Sequence, residues 1–88
     1  MKPIDENRNK AVLTTRYVVK NNSSVVTVIY DEDGDWQFLG AEEIDESDAV
    51  VLSMKEMIKH DGILYNVPEL ECGQSAMREK IHHPWRIK

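Results

Sequence analysis

Residues 25–39 read VVTVIYDEDGDWQFL, and this stretch decides the fold that we predict. An unbroken β-branched and aromatic run, Val25–Tyr30, predicts one strand, and the apolar run Trp36–Leu39 predicts a second. The Asp33-Gly34 pair between them favours a hairpin with a two-residue type I′ turn, in which both central residues have a positive φ. Such a turn places Ile29 opposite Phe38. Both faces of the hairpin are then partly apolar, so we expect it to lie in the centre of a sheet.

A further strand is predicted before the hairpin, over the Val-, Thr- and Tyr-rich run Val12–Val19, followed by a turn at Asn21–Ser24. After the hairpin, Ala49–Leu52 predicts a strand that runs into a helix. Ser53 and Glu56 have the spacing of a capping box at the start of that helix.

Three apolar residues of this helix recur at helical spacing, and they are Met54, Met57 and Ile58. The helix is expected to end near His60-Asp61-Gly62, because glycine commonly follows a helix C-terminus. Leu64–Leu70 predicts a loop with apolar anchors. Gln74–Lys80 fits either a strand or a helix, and Pro84–Ile87 predicts a short terminal strand.

The fold class predicted from these elements is α+β, with a small, mostly antiparallel sheet, a central hairpin and one main helix packed on it. Residues 1–10 are polar and predict a flexible N-terminal tail, and residues 11–88 predict a single α+β domain. No apolar stretch approaches the ~20 residues of a membrane helix, and residues 1–10 lack the apolar core of a signal peptide. The single cysteine, Cys72, agrees with a reducing compartment, so we expect a cytoplasmic protein.

Charge is distributed unevenly along the chain. The net charge of −5 argues against a nucleic-acid ligand held through its phosphates. Residues 21–54 contain no Lys or Arg but nine carboxylates, which are Asp31, Glu32, Asp33, Asp35, Glu42, Glu43, Asp45, Glu46 and Asp48. Basic residues collect towards the two ends of the chain. Either these basic ends fold back onto the acidic segment, or the acidic segment receives a cationic partner.

The sequence predicts neither a metal site nor a cofactor. Asp31, Asp33, Asp35 and Glu42 have the first, third, fifth and twelfth positions of a calcium-binding EF-hand loop, but Trp36 occupies the position that requires glycine. The cysteine and histidines lack the spacing of a zinc site, and no phosphate loop or nucleophile elbow occurs. We therefore expect a protein that is not an enzyme.

Three parts of the chain resemble a known group of proteins. Gly34-Asp35-Trp36-Gln37-Phe38 follows a strand, His60-Asp61 follows an apolar helix, and residues 70–78 (LECGQSAMR) precede Trp85. In this order they resemble small bacterial domains of unknown function, some of which are classed with the immunity proteins of polymorphic toxin systems. The resemblance covers about Thr14 to Trp85. It implies a related fold and protein binding, and it brings no catalytic residues.

The leading functional hypothesis is non-catalytic protein binding, including immunity-like neutralisation of a basic toxin. The residues predicted to bind such a partner are Asp31, Asp33, Asp35, Trp36, Glu42 and Glu43. Trp36 serves as an anchor only if it is exposed, and otherwise belongs to the core. The alternatives are a regulatory domain that binds a small molecule or metal and, third, a hydrolase. The partner's identity and the oligomeric state stay open.

Overall fold

A computed structural model describes residues 1–88, apart from the side chain of Ile63. It contains six strands and two α-helices, which are β1 (Ala11–Thr15), α1 (Arg16–Asn21), β2 (Thr27–Tyr30), β3 (Trp36–Leu39), β4 (Ala49–Ser53), α2 (Met54–His60), β5 (Gln74–Met77) and β6 (Arg86–Ile87). Three short 3-10 helices cover Pro3–Asp5, Glu46–Asp48 and Gly62–Asn66. The strands form one sheet in the order β4-β1-β3-β2-β5-β6. The β1–β3 pair is parallel and the other four pairs are antiparallel, so the predicted α+β fold is confirmed, with a mixed sheet.

The predicted hairpin forms, but its register differs by one residue from our prediction. Ile29 pairs with Gln37 rather than with Phe38. The cause is a three-residue loop, in which the Gly34 N–H donates to the Asp31 carbonyl and the Asp31 carboxylate accepts from two further loop N–H groups. Gly34 has a φ of +82°, as predicted, whereas Asp33 is not in the positive-φ region, so that part of the prediction is wrong.

The predicted strand Val12–Val19 is correct only as far as Thr15, after which the chain forms α1. The Thr15 hydroxyl accepts a hydrogen bond from the Val18 N–H and caps the helix. Asn22 ends it in the left-handed conformation, with a φ of 56°. The helix turns Val18 into the core, where it is fully buried.

Helix α2 follows β4 as predicted, and the capping box between Ser53 and Glu56 is present. It ends at His60, and Gly62 then begins a 3-10 turn without a positive φ. The buried face of α2 carries the three predicted residues Met54, Met57 and Ile58.

The two faces of the sheet differ in burial. In β1 to β5, even-numbered residues face the core, which includes Val12, Val28, Tyr30, Trp36, Phe38 and Ala76. The odd-numbered residues of these strands form the opposite face, which we call the open face. Leu13, Ile29, Gln37 and Leu39 are only partly buried there, and Val51 and Met77 are exposed. The even–odd alternation follows from the strand period of two.

The two ends of the chain are both placed against the domain. Pro3 is buried, Ile4 packs against the core, and the Leu70 N–H donates to the Met1 carbonyl at 3.0 Å. Residues 1–10 therefore lie on the domain, although the mobility that we predicted for them stays a prediction. At the other end, the ambiguous stretch is a strand over Gln74–Met77, and the predicted terminal strand forms at Arg86–Ile87. In the described part of the chain, no helix has the length and hydropathy needed to cross a membrane.

Candidate functional site: a groove on the open face of the sheet

A shallow groove of about 350 Å³ lies on the open face, across the neighbouring strands β4, β1 and β3. It is lined by the open-face residues Ala11, Leu13, Gln37 and Val51, by Asp31 and Asp35 of the hairpin, and by Val12 and Trp36, whose side chains are turned into the core. We call it the sheet-face groove. All three of its polar residues have odd numbers, in agreement with the face to which they belong.

The register of the sheet brings the groove residues together from distant parts of the sequence. Leu13 on β1 pairs with Val51 on one side and with Gln37 on the other. Val51 is 65% exposed, and it lies on an edge strand that contains no charged residue. Val51 therefore adds exposed apolar surface beside Leu13, with which it pairs.

Two carboxylates of the hairpin border the groove. Asp31 is half-buried, and its side chain accepts hydrogen bonds from the N–H groups of Asp33 and Asp35, so it holds the loop in shape. The Asp35 side chain is 60% exposed, and one of its oxygens lies 3.3 Å from Lys10 Nζ. The apolar floor of the groove is therefore bordered by the Asp31 and Asp35 carboxylates at its hairpin end.

The other predicted site residues occupy different positions. Asp33 is exposed at the hairpin tip and does not line the groove. Glu42 and Glu43 are exposed in the loop after Leu39, where the Ser23 hydroxyl donates to the Glu42 carboxylate. This loop and the hairpin tip lie at opposite ends of β3, about 16 Å apart at ~3.3 Å per residue. The carboxylates of the acidic segment are therefore divided into two groups, one at the hairpin and one in the loop after Leu39.

Each acidic group receives one cation from the N-terminal part of the chain. Lys10 pairs with Asp35, and Arg16 lies 2.7 Å from a buried Asp48 oxygen. In the loop group, hydrogen bonds from the Ser47 side chain and backbone hold the pKa of Asp45 below its usual value. Folding back of basic residues is thus part of the explanation of the charge asymmetry. Arg78, one of the basic residues towards the C-terminal end, is instead buried and donates to the Val25 carbonyl.

Trp36 does not provide a surface anchor. Its side chain is 1% exposed and lies in the core, where its ring stacks on Tyr30 and Phe38. The indole N–H donates to the Glu6 carboxylate at 3.4 Å. The exposed apolar residue of the site is instead Val51, which sequence reasoning missed. Val51 occupies an odd-numbered position in β4. This position shows that Val51 lies on the open face only when the register of β4 with β1 is known.

The described residues contain no group of three or more His, Cys, Asp or Glu side chains arranged to hold a metal ion. The hairpin carboxylates with EF-hand spacing are used instead to shape the turn and its surface. Cys72 is exposed beside the hairpin, and its hydrogen bond with the Tyr30 hydroxyl raises the pKa of that phenol.

Comparison with known proteins yields no match to a family model, a curated protein or a solved structure. No relative therefore supplies a family name, a substrate or a catalytic residue for this chain. The resemblance to immunity domains stays a proposal.

Proposed function

We propose that this protein is a non-catalytic protein-binding domain, which receives a basic partner protein on the sheet-face groove. The observation that carries the proposal is the meeting of an apolar floor with two carboxylates in one groove on the open face of the sheet. The residues that matter most are Leu13, Asp35 and Val51.

Both parts of the groove favour the same kind of partner group. The aliphatic stem of a lysine or arginine packs against apolar residues while its charged end stays near a carboxylate. Val51 and Leu13 offer the apolar surface, and Asp35 offers the carboxylate. Carboxylates at the border of an interface mainly increase the association rate, whereas contacts that become buried set the lifetime of the complex.

The resemblance to immunity domains suggests a biological role for this protein binding. A toxin that acts on nucleic acid has a cationic cleft, and a protein of net charge −5 with an acidic groove would cover such a cleft. Neutralisation of a basic toxin is therefore the specific form that we propose. The second candidate, a regulatory domain that binds a small molecule, is supported by a different groove, described in the next subsection.

Affinity capture from the native host, followed by binding kinetics with the captured partner, tests the proposal. We expect Val51→Arg to abolish capture, because it places a cation on the apolar floor. Asp35→Asn should slow association and flatten its dependence on salt. Asp33→Asn is the matched control, because it removes the same charge from the same loop outside the groove.

A second control lies at the far end of β3, where Glu42→Gln should leave association nearly unchanged. The proposal is wrong if Val51→Arg still captures the partner. It is also wrong if Asp33→Asn and Glu42→Gln slow association as much as Asp35→Asn does, because the groove then has no special part in binding.

A further inference from the structure

A second groove, of about 460 Å³, lies near the opposite edge of the sheet from β4. Its polar lining consists of Asn66, Arg78, His82, His83 and Trp85, and two prolines complete it. Every one of these polar side chains can donate a hydrogen bond, and no carboxylate is among the lining residues. We call it the C-terminal groove. In a protein of net negative charge, such a lining is suited to an anion.

Arg78 is the fixed element of this groove. It is 7% exposed, and its Nε and Nη2 donate to the Val25 carbonyl at 3.0 and 2.6 Å. Its guanidinium lies over the Trp85 ring, 4.4 Å from the ring centroid. A guanidinium has five N–H donors, so the two atoms bound to Val25 leave further donors for a ligand. Burial lowers the pKa of Arg78, and the charge of Asp61 opposes this effect.

Trp85 places a second hydrogen-bond donor, its indole N–H, at the C-terminal groove. Its indole nitrogen is buried and has no hydrogen-bond partner among the described residues. A buried N–H without an acceptor is unfavourable, and such a group in a folded protein calls for an explanation.

The two histidines enter the groove from a tight turn. The His83 N–H donates to the Lys80 carbonyl, and His82 has a φ of 70°, which is uncommon for a residue other than glycine. The turn therefore places both histidines at the groove, and a ring nitrogen of His83 lies 3.8 Å from the Glu79 carboxylate, just outside the groove lining.

We infer that the C-terminal groove binds a small molecule through an oxyanion group, a carboxylate or a phosphate, which accepts hydrogen bonds from Arg78 and Trp85. Charge-assisted hydrogen bonds from arginine are strong and directional, and both anion types match the guanidinium geometry. The groove has room for a molecule larger than a single inorganic anion, so the oxyanion that we infer can be one group of a larger ligand. This site is independent of the protein-binding surface, because it lies near the other edge of the sheet.

Titration of the ¹⁵N-labelled protein with inorganic phosphate, and separately with acetate, tests the inference. We expect at least one of the two anions to shift the indole N–H resonance of Trp85 saturably in the millimolar range. The same anion should raise the melting temperature. A response to phosphate alone identifies a phosphorylated ligand, and a response to acetate alone identifies a carboxylic acid.

Trp85→Phe is the most informative variant, because it keeps an aromatic ring beneath Arg78 while it removes the indole N–H together with the five-membered part of the ring. Its anion affinity should fall at least fivefold. Lys80→Gln is the matched control, because Lys80 is exposed near the groove without lining it, and its affinity should stay within twofold of the wild type.

Three results would overturn the inference. The first is an indole resonance that neither anion moves. The second is an unchanged anion affinity in Trp85→Phe. The third is an equal loss of affinity in Lys80→Gln and Trp85→Phe, because diffuse attraction by the basic C-terminal segment would then explain the binding.

Discussion

Gly34 is the single residue on which the hairpin loop depends. Its φ of +82° is a backbone region that residues with a Cβ avoid, and no atom lies within 4 Å of the position that a Cβ would take. We expect Gly34→Val to lower the free energy of unfolding by roughly 1–2 kcal/mol, for backbone reasons alone. Gly62→Ala is the control, because Gly62 also has open space around it but no positive φ, and it should change stability by less than about 0.5 kcal/mol. Denaturant unfolding measures both, and equal effects would contradict the explanation.

Glu56 makes stability depend on pH in the acid range. Hydrogen bonds from the backbone N–H and then the hydroxyl of Ser53 hold the pKa of Glu56 below its usual value. A carboxyl group whose pKa is lower in the folded protein contributes stability above its unfolded pKa, and this contribution is lost as the pH falls through the folded value. We therefore expect Glu56→Gln to destabilise the protein at neutral pH and to have little effect near pH 3. Unfolding curves at the two pH values test this, and an equal effect at both would show that the charge is not involved.

Interactions of single residues could be predicted from the sequence only where the interacting residues lie close together along the chain. The capping box of Ser53 and Glu56 involves residues three apart, so its spacing alone identifies it. By contrast, two kinds of hairpin loop can accommodate Asp33-Gly34, and the Asp31 side chain determines which of them forms. Its two hydrogen bonds favour the three-residue loop, and this choice shifts the register by one residue.

At the scale of elements, α1 shows how a capping hydrogen bond overrides strand propensity. Residues 16–19 have the composition of a strand, but the Thr15 hydroxyl satisfies the Val18 N–H and starts a helix. We expect Thr15→Val to destabilise the protein by about 1 kcal/mol, because valine has the same shape without the acceptor. Thr15→Ser keeps the hydroxyl and should have a smaller effect. If Thr15→Val leaves stability unchanged in thermal or chemical unfolding, the capping hydrogen bond does not contribute to stability.

The sheet-face groove is also a property of elements, and the sequence alone did not predict it. Its central residues Leu13, Asp35 and Val51 come from three separate segments, and each is unremarkable within its own segment. They meet because β1 pairs in parallel with β3 and antiparallel with β4. Sequence patterns gave the strands and the acidic hairpin tip, but they do not specify which strands become neighbours.

At the scale of the whole molecule, the sheet separates surfaces of different character. The edge formed by β4 carries the exposed Val51 next to the hairpin carboxylates, and the edge formed by β6 ends in the basic residues Arg86 and Lys88. The sequence shows acidic and basic segments, but it does not show how far apart they lie in the folded protein. Because the two grooves belong to different edges, a partner protein and a small anion can bind without competing for the same residues.

Truncation of the N-terminal segment tests whether this segment is part of the folded domain. Pro3 is buried, Ile4 contacts the core, and Leu70 and Trp36 each donate a hydrogen bond to this segment. We expect a variant that lacks residues 1–7 to lose about 2 kcal/mol of stability or more, because it exposes apolar surface and leaves two donors without their partners.

Asp5→Asn is the control for this truncation, because it alters an exposed side chain of the same segment and should change stability by less than about 0.5 kcal/mol. Hydrogen exchange of the Leu70 amide gives a second measurement, and it should be fast in the truncated protein and slow in the full chain. A flexible tail, as the polar composition predicted, would instead leave both the free energy of unfolding and the Leu70 exchange rate unchanged. The two readouts together decide whether the segment that supplies the Trp36 hydrogen-bond acceptor belongs to the core-forming unit or only covers its surface.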